Sequence, residues 1–336
     1  MESPPLTSVR VDSDLPSIGD RFEICPQAGE RDGVRGTTPV GDAGTFRSRR
    51  RDPLEKLRKR VQEIKKKRPG YAEILDFYLK VKEAQDKAKA SVRIEPISIK
   101  EEWKDLLAKE GFPILDRRDL RVDTRSSTEL FRTLCRIGRD SNPHLAGEIG
   151  KIEEAIEQGK VDLKSLFEEA LGEEKGKKIA RRIGVERKIL LFLVQSSIRP
   201  SIEAAKEQVL KEVDSEKWLK GICPVCGAFP SLGLLKEDAG KKFLLCSYCG
   251  YEWHVERFFC PFCRNQDQES LHYFHAEGEE AYRIDLCDKC HRYIKTIDLR
   301  KLETSDPVLE DIATLHLDFL ASKKRYKRPA PTPWTA

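Results

Sequence analysis

Eight of the ten cysteines in this 336-residue chain form four Cys-x-x-Cys pairs, all between residues 223 and 290. The pairs are Cys223/Cys226, Cys246/Cys249, Cys260/Cys263 and Cys287/Cys290. Such a turn sets two sulfurs at the separation a tetrahedral ion requires, with metal–sulfur bonds of about 2.3 Å. One pair would say little; four, with no cysteine left over inside the segment, specify metal sites. Nineteen residues separate Cys226 from Cys246 and 23 separate Cys263 from Cys287, but only ten separate Cys249 from Cys260. A ribbon site needs two knuckles joined by a hairpin of about 15–20 residues, so the long gaps belong inside sites and the short one between them. The expected metal groups are therefore Cys223, Cys226, Cys246 and Cys249, then Cys260, Cys263, Cys287 and Cys290, in two tandem modules.

Each module spans about 40 residues, too few to build a stable core alone. A bound metal can supply the difference, roughly 10–16 kcal/mol for structural zinc at neutral pH. That staple role accounts for all eight sulfurs, and a metal that also works fits them equally well. Four thiolates suit zinc and a single iron alike, and of the two only iron changes redox state. Thiolate sites persist where disulfides do not form, so the expected location is the cytoplasm.

The formal net charge is +5, but its location matters more than its size. Segment 221–300 holds ten Lys/Arg against twelve Asp/Glu, a net of −2. Eight bound thiolates and two divalent ions would take it to about −6. Affinity for a phosphate backbone comes from clustered Lys and Arg, so these ribbons are poor nucleic-acid readers. The positive excess lies on the preceding helices and in the run Lys323–Arg328. The longest unbroken apolar run is Ile189 to Val194, far short of the roughly 20 residues of a membrane span.

Enzymatic readings fare badly. A four-thiolate site is coordinatively closed, whereas catalytic zinc keeps a position for water. No His-Glu-x-x-His helix, phosphate-cradling glycine loop or Gly-x-Ser-x-Gly elbow is present. No catalytic residue is expected. His254, His272, His275 and His291 lie near the cysteines but are not needed as ligands. Cys135, beside the inward Leu134, reads as a small core hydrophobe. Cys25 has no partner. Thiol–disulfide exchange would need one exposed pair at a helix start rather than four knuckles.

Around the cysteines the chain divides by composition. Residues 1–53 lack periodicity, are rich in Gly, Pro, Ser, Asp and Arg, and are expected to be a disordered arm. Met1 is the only methionine, and the expectation is that the reading frame starts near residue 54, the arm being an upstream extension. Residues 54–220 carry helical periodicity, in six to eight helices. Leu54, Leu57, Val61 and Ile64 stripe one of these, and Ile74, Tyr78, Val81 and Ala84 the next. Ser126-x-x-Glu129 reads as a capping box before Leu130, Phe131, Leu134 and Ile137. Ile149, Ile152 and Ile156 precede a stop at Gly159, and Leu163, Leu166, Phe167 and Leu171 precede one at Gly172. The all-apolar run 189–194 marks the buried centre, and Pro200 is expected to start a helix reaching Trp218. Segments 221–258 and 259–300 are the first and second four-cysteine ribbons, built from short aromatic and β-branched strands. Residues 301–321 return to one helix with Val308, Ile312, Leu315 and Phe319 on a face, and 322–336 form a flexible basic, proline-containing tail.

The spacing beyond the cysteines is more specific than any knuckle demands. Cys223-Pro224-Val225-Cys226-Gly227 is followed by Leu245-Cys246-x-x-Cys249-x-x-Glu252-Trp253-His254-x-x-Arg257-x-x-Cys260-x-x-Cys263. Then come Cys287-x-x-Cys290-x-x-Tyr293-Ile294-Lys295 and Asp311-Ile312-Ala313-Thr314-Leu315-x-Leu317-Asp318, with Arg199-Pro200-x-Ile202-Glu203 upstream. Over about residues 54–321 the chain resembles the formate dehydrogenase accessory protein FdhE family. The resemblance implies a helical domain followed by two rubredoxin-like metal modules, with iron favoured over zinc. It also implies a cytoplasmic, non-enzymatic factor that binds a formate dehydrogenase catalytic subunit during maturation. Only the eight cysteines carry over with a role, as ligands. Trp253 reads as hairpin packing. Further partner expectations are a homodimer and little affinity for nucleic acid. The rival readings are a zinc-ribbon nucleic-acid adaptor and a rubredoxin-like electron-transfer component.

Overall fold

Asp52 opens the first helix: its carboxylate accepts the Leu54 N–H at 3.1 Å, and Pro53 fills the first turn, where its missing donor costs nothing. The computed structural model describes residues 25–26, 52–99, 110–117, 120–170, 175–213, 218–302, 306–330, 332 and 334. The expectations for most of the arm 1–53 and for a stop at Gly172 fall outside these residues. Among the described residues seven helices precede the ribbons: α1 Pro53–Lys67, α2 Ala72–Lys89, α3 Thr124–Ser141, α4 Pro143–Glu157, α5 Leu163–Ala170, α6 Lys175–Ile183 and α7 Arg187–Val209. The inward face of α1 is Leu57, Val61 and Ile64, as its stripe indicates. On α2 it is Leu75, Tyr78, Val81 and Gln85, a slightly rotated version of the expected stripe.

Two helix starts differ from expectation. Helix α3 begins at Thr124, because Asp123 accepts the Ser126 N–H at 3.1 Å and takes the cap that Ser126 was expected to provide. Pro200 does not start a helix; it lies inside α7, which runs unbroken for 23 residues and then ends at Val209, well before Trp218. A mid-helix proline strands the carbonyl four residues back. That carbonyl belongs to Ser196, and the buried Gln85 Nε2 donates to it at 2.9 Å. The side chain replaces the lost backbone donor, so the helix continues. Helix α7 is the buried centre anticipated from its apolar run, with Ile189, Leu190, Leu193, Val194, Ile198 and Ile202 all enclosed.

The ribbons supply six strands: β2 Pro230–Lys236, β3 Lys241–Cys246, β4 Glu252–Val255, β5 Leu271–Phe274, β6 Tyr282–Cys287 and β7 Arg292–Asp298. The residues Cys25–Pro26, inside the arm expected to be disordered, form an edge strand β1 against β5. The sheet order is β1-β5-β6-β7-β2-β3-β4. All neighbours are antiparallel except β2 and β7, which run parallel with Leu232 opposite Lys295 and Leu234 opposite Ile297. The two modules therefore share one sheet. At the seam, a Cβ on Gly233 would come within 2.4 Å of Thr296 Oγ1, so only glycine lets the strands close.

After the sheet, the expected single helix is two: α8 Pro307–Ile312 and α9 Leu315–Lys323. At the break, Ala313–Thr314, Lys295 Nζ donates to two carbonyls, Asp311 O and Thr314 O, both at 3.0 Å. Re-aiming α9 buries Leu317 and Ala321 and leaves Phe319, expected inward, 60 % exposed. Leu309, Ile312 and Ala313 pack with Leu57, Val61, Ile64, Leu75 and Tyr78, whereas Leu317 and Ala321 pack with the sheet residues Leu234, Phe274, Ile284 and Ile297. The pair thus joins bundle to sheet.

The basic run after α9 is not the flexible tail its composition suggests. Arg328 is buried, 3.0 Å from both Asp311 and Asp318, and donates to Ser231 O at 2.9 Å. Tyr326 Oη donates to Asp288 at 2.5 Å. Trp334 then meets the rings of Tyr78 and Phe192, each at 4.8 Å between centroids. Matched buried charges and aromatic contacts hold what charge repulsion alone would release.

Candidate metal centres

Each Cys-x-x-Cys pair is a tight turn whose closing residue takes a left-handed backbone. These residues are Gly227 and Gly250 in the first module, Arg264 and His291 in the second. The N–H of Gly227 donates to Cys223 O at 2.9 Å, that of Gly250 to Cys246 O at 3.2 Å and that of Arg264 to Cys260 O at 2.9 Å. The turn folds the two sulfurs of a pair to one side. Glycine makes it at no steric cost, so the first module closes its turns more easily than the second.

The hairpins then bring the pairs together in the arrangement that spacing indicated. Cys223, Cys226, Cys246 and Cys249 converge in one group, and Cys260, Cys263, Cys287 and Cys290 in another, with all sulfurs of a group within 4.8 Å of one another. Measured edges are 3.6 Å for Cys223–Cys249, 3.5 Å for Cys226–Cys246, 3.7 Å for Cys260–Cys290 and 3.6 Å for Cys263–Cys287. Sulfurs about 2.3 Å from a tetrahedral ion lie about 3.8 Å apart. No disulfide joins any of them. Both donor sets thus fit a soft divalent ion, and each could hold one.

Backbone donors support the charge such a group carries. The N–H groups of Tyr248 and Cys249 both donate to Cys246 Sγ at 3.4 Å. Burial opposes ionisation of Cys246, but hydrogen bonds from the other three thiols and the Cys249 N–H outweigh it and hold its pKa well below the usual thiol range. In the second group the lowered thiol is Cys263, where slight burial is outweighed by the Asn265 N–H and its three neighbouring thiols. Asn265 Nδ2 also lies 3.6 Å from Cys287 Sγ.

The two groups differ in their surroundings. All four cysteines of the first are buried, and it lies in the same continuous core as Leu193, Val194, Ile198 and Trp253. Ile114 N–H donates to Pro224 O at 2.8 Å and Leu115 N–H to Val225 O at 2.9 Å, pinning the first knuckle to the loop before α3. Arg199 on α7 donates to Tyr248 O at 2.7 Å and to Glu203 at 3.0 Å, pinning the second knuckle. Burial disfavours the guanidinium charge, but Glu203 and the sulfurs of Cys249 and Cys246 hold its pKa above its ordinary value. In the second group Cys260 and Cys287 are buried, Cys290 is half-buried and Cys263 is exposed.

The nearby histidines belong to neither group. His272 pairs with Asp288 at 3.1 Å, His275 faces Ala276 O at 3.2 Å, His254 meets Phe243 and His291 meets Tyr326. Cys135 is a buried core thiol whose burial pushes its pKa up to about 12. Trp253 is 1 % exposed and donates to Lys220 O at 3.0 Å, so it is packed in the hairpin and tied to the segment that precedes it. Arg199 had no role assignable from sequence beyond its place in Arg199-Pro200-x-Ile202-Glu203, and the loop residues Ile114 and Leu115 carried no signal at all.

Two family models cover the metal-binding third of the chain: "FdhE, central domain" matches residues 222–257 and "FdhE, C-terminal domain" matches residues 259–334. Each model contains one complete cysteine group. Over residues 222–334 the chain matches the FdhE family. Its relatives include the protein FdhE homolog of Aquifex aeolicus, 36 % identical over 146 residues that make up 43 % of this chain and 51 % of the relative. The FdhE homolog of Stutzerimonas stutzeri is 35 % identical over 114 residues, 33 % of this chain and 37 % of that one. The aligned region thus spans about half the length of the first relative and less of the second. The crystal structure of the FdhE protein from Pseudomonas aeruginosa superposes with a TM-score of 0.57 at 19 % identity, covering 85 % of this chain and 96 % of that one. At that identity the likeness is one of fold. Among the described residues no helix is long and apolar enough to cross a membrane.

Proposed function

We propose that this FdhE family member is a cytoplasmic, non-enzymatic accessory factor for formate dehydrogenase, which binds the catalytic subunit of that enzyme while it matures. The observation that carries the reading is the pair of tetra-thiolate groups, each within one of the two FdhE domain models. In this reading the ligands are Cys223, Cys226, Cys246 and Cys249 for one ion, and Cys260, Cys263, Cys287 and Cys290 for the other. With all four positions filled by sulfur, such an ion has no place for substrate or water, which favours a structural or electron-storing role over hydrolysis. Iron is the favoured ion, able to change oxidation state in a rubredoxin-like site, and zinc has the same donor requirements.

The test has two parts. Anaerobic purification and metal analysis should return two ions per chain, and removing the gene should lower formate dehydrogenase activity without lowering the amount of its polypeptide. A tagged chain should retain the catalytic subunit from cell extract. Full enzyme activity in the deletion strain would end the proposal.

A further inference from the structure

The two cysteine groups are chemically alike but differently enclosed, and this difference separates their roles. In the first group every sulfur is buried, and both knuckles are tied to the helical domain. The tie from Arg199 bears on the sulfurs through a single peptide. Its guanidinium donates to Tyr248 O, and the N–H of that same peptide, carried by Cys249, donates to Cys246 Sγ. A cation on the carbonyl polarises the peptide and strengthens the N–H···S bond at its other end. An added Cβ on Gly250 would meet Arg199 Nη2 at 2.4 Å, so the guanidinium is seated directly on the knuckle. An ion here could leave only if α7, the loop at Ile114–Leu115 and the knuckles separated together.

The second group is held by the sheet and the tail. Asn265 supports Cys287, and Asp288 inside the last knuckle is held by His272 and Tyr326. These contacts fix the inner half of the site. Cys290, half-buried, and Cys263, exposed, form the outer half, toward solvent. Its closing turn rests on Arg264 in a left-handed conformation, which costs a non-glycine residue about 1 kcal/mol. An external donor can therefore approach this sulfur without any rearrangement of the core.

We propose that the second group, Cys260, Cys263, Cys287 and Cys290, is an exchange site for a soft divalent ion, which passes to and from an external thiolate acceptor by way of Cys263, while the first group retains its ion. This rests on the reading that both groups bind metal. The exchange is one of ligands without electron transfer: the acceptor's thiolate takes the place of the Cys263 sulfur one for one, and the remaining sulfurs follow. The ion leaves with its charge unchanged, and the vacated protein thiolates take protons from water.

The test uses the full-length chain loaded with zinc alone and counted at two ions per chain, then challenged with excess EDTA while a chromogenic chelator reports release. Release should occur in two phases of one ion each, separated by about tenfold or more. Cys263→Ser should remove the fast phase and keep the slow one. Arg199→Gln should hasten the slow phase by about 10–100-fold and leave the fast phase unchanged. On the unmodified chain, brief N-ethylmaleimide treatment followed by peptide mass spectrometry should label Cys263 before any cysteine of the first group, a result independent of how the variants fold. Release of both ions from the unmodified chain in one phase, or first labelling at Cys223, Cys226, Cys246 or Cys249, would overturn the exchange assignment. A count below two ions in the unmodified chain before the challenge would instead overturn the metal-site reading and take the exchange site with it.

Discussion

Lys242 Nζ lies 2.7 Å from Asp285 Oδ2, and the two side chains are only 2 % and 9 % exposed. Lys242 belongs to β3 in the first module and Asp285 to β6 in the second, so a buried ion pair spans the junction of the two metal-binding ribbons. Thr296 on β7 donates to the same carboxylate oxygen at 2.8 Å, and Arg283 lies 2.8 Å from the other.

Removing one member of a buried pair leaves an uncompensated charge, which costs about 3–5 kcal/mol. Lys242→Met is therefore expected to lower the urea unfolding midpoint strongly. Replacing both, as Lys242→Met with Asp285→Leu, should recover part of that loss. An unchanged midpoint in the single variant would show that the junction does not depend on this pair.

The same carboxylate sets an acid limit. Burial opposes its charge, but Arg283, Lys242 and Thr296 outweigh burial and bring Asp285 down to about 2. A folded pKa below the unfolded one contributes stability that is present above about pH 4 and lost as pH falls toward 2, worth about 2 kcal/mol. Unfolding free energy measured across that window should fall in the parent chain and less steeply in Asp285→Asn. Identical slopes would refute the assignment.

Cys226→Ser tests how far the helical domain depends on the first metal group. The expectation from composition is that the ribbon would unravel alone, because the two parts draw stability from separate sources. The core instead runs without interruption from Ile152, Leu193 and Val194 to Cys226, Cys249 and Trp253. Loss of this ligand should therefore cost several kcal/mol and lower the melting of helix and ribbon together, in one transition followed by far-UV circular dichroism. Two resolved transitions, with the helical one unmoved, would restore the domain boundary near residue 220.

Arg328→Ala should free the C-terminal segment. Among the described residues, Asp311 and Asp318 would then keep Lys295 as their buried cation, at 2.8 and 2.5 Å, with an expected cost of about 3–5 kcal/mol. Trypsin should then cut at Lys323 and Lys324 faster than in the parent, as read by mass spectrometry. Equal cleavage rates would mean that Tyr326 and Trp334 suffice to hold the segment.

The cysteine grouping was legible because sulfur spacing encodes it directly: a ligand pair needs two intervening residues and a hairpin needs enough chain to turn. The centre of the bundle was legible for a similar reason, since Ile189–Val194 offers no polar face. What escaped depends on partners remote in sequence. Pro200 reads as a helix start until Gln85 is seen to cap the carbonyl it strands. The run Lys323–Arg328 reads as a solvated tail until Asp311 and Asp318 are found beneath Arg328. Phe319 fits a helical stripe, but the chain breaks before it at Ala313–Thr314, where Lys295 binds the carbonyls of Asp311 and Thr314. The exposure of Cys263 against the burial of Cys226 is not set by the Cys-x-x-Cys spacing, because knuckles of the same spacing face different neighbours.

The parallel seam between β2 and β7 fixes an order of events during synthesis. Strand β2 leaves the ribosome long before β7, and residues 237–291 must be translated before its partner exists. Until then the edge at Leu232–Leu235 stands unpaired, an adhesive surface for other nascent chains. A ribosome stalled within the second module would release a chain with that edge bare, so premature termination there should yield aggregates rather than a smaller soluble protein.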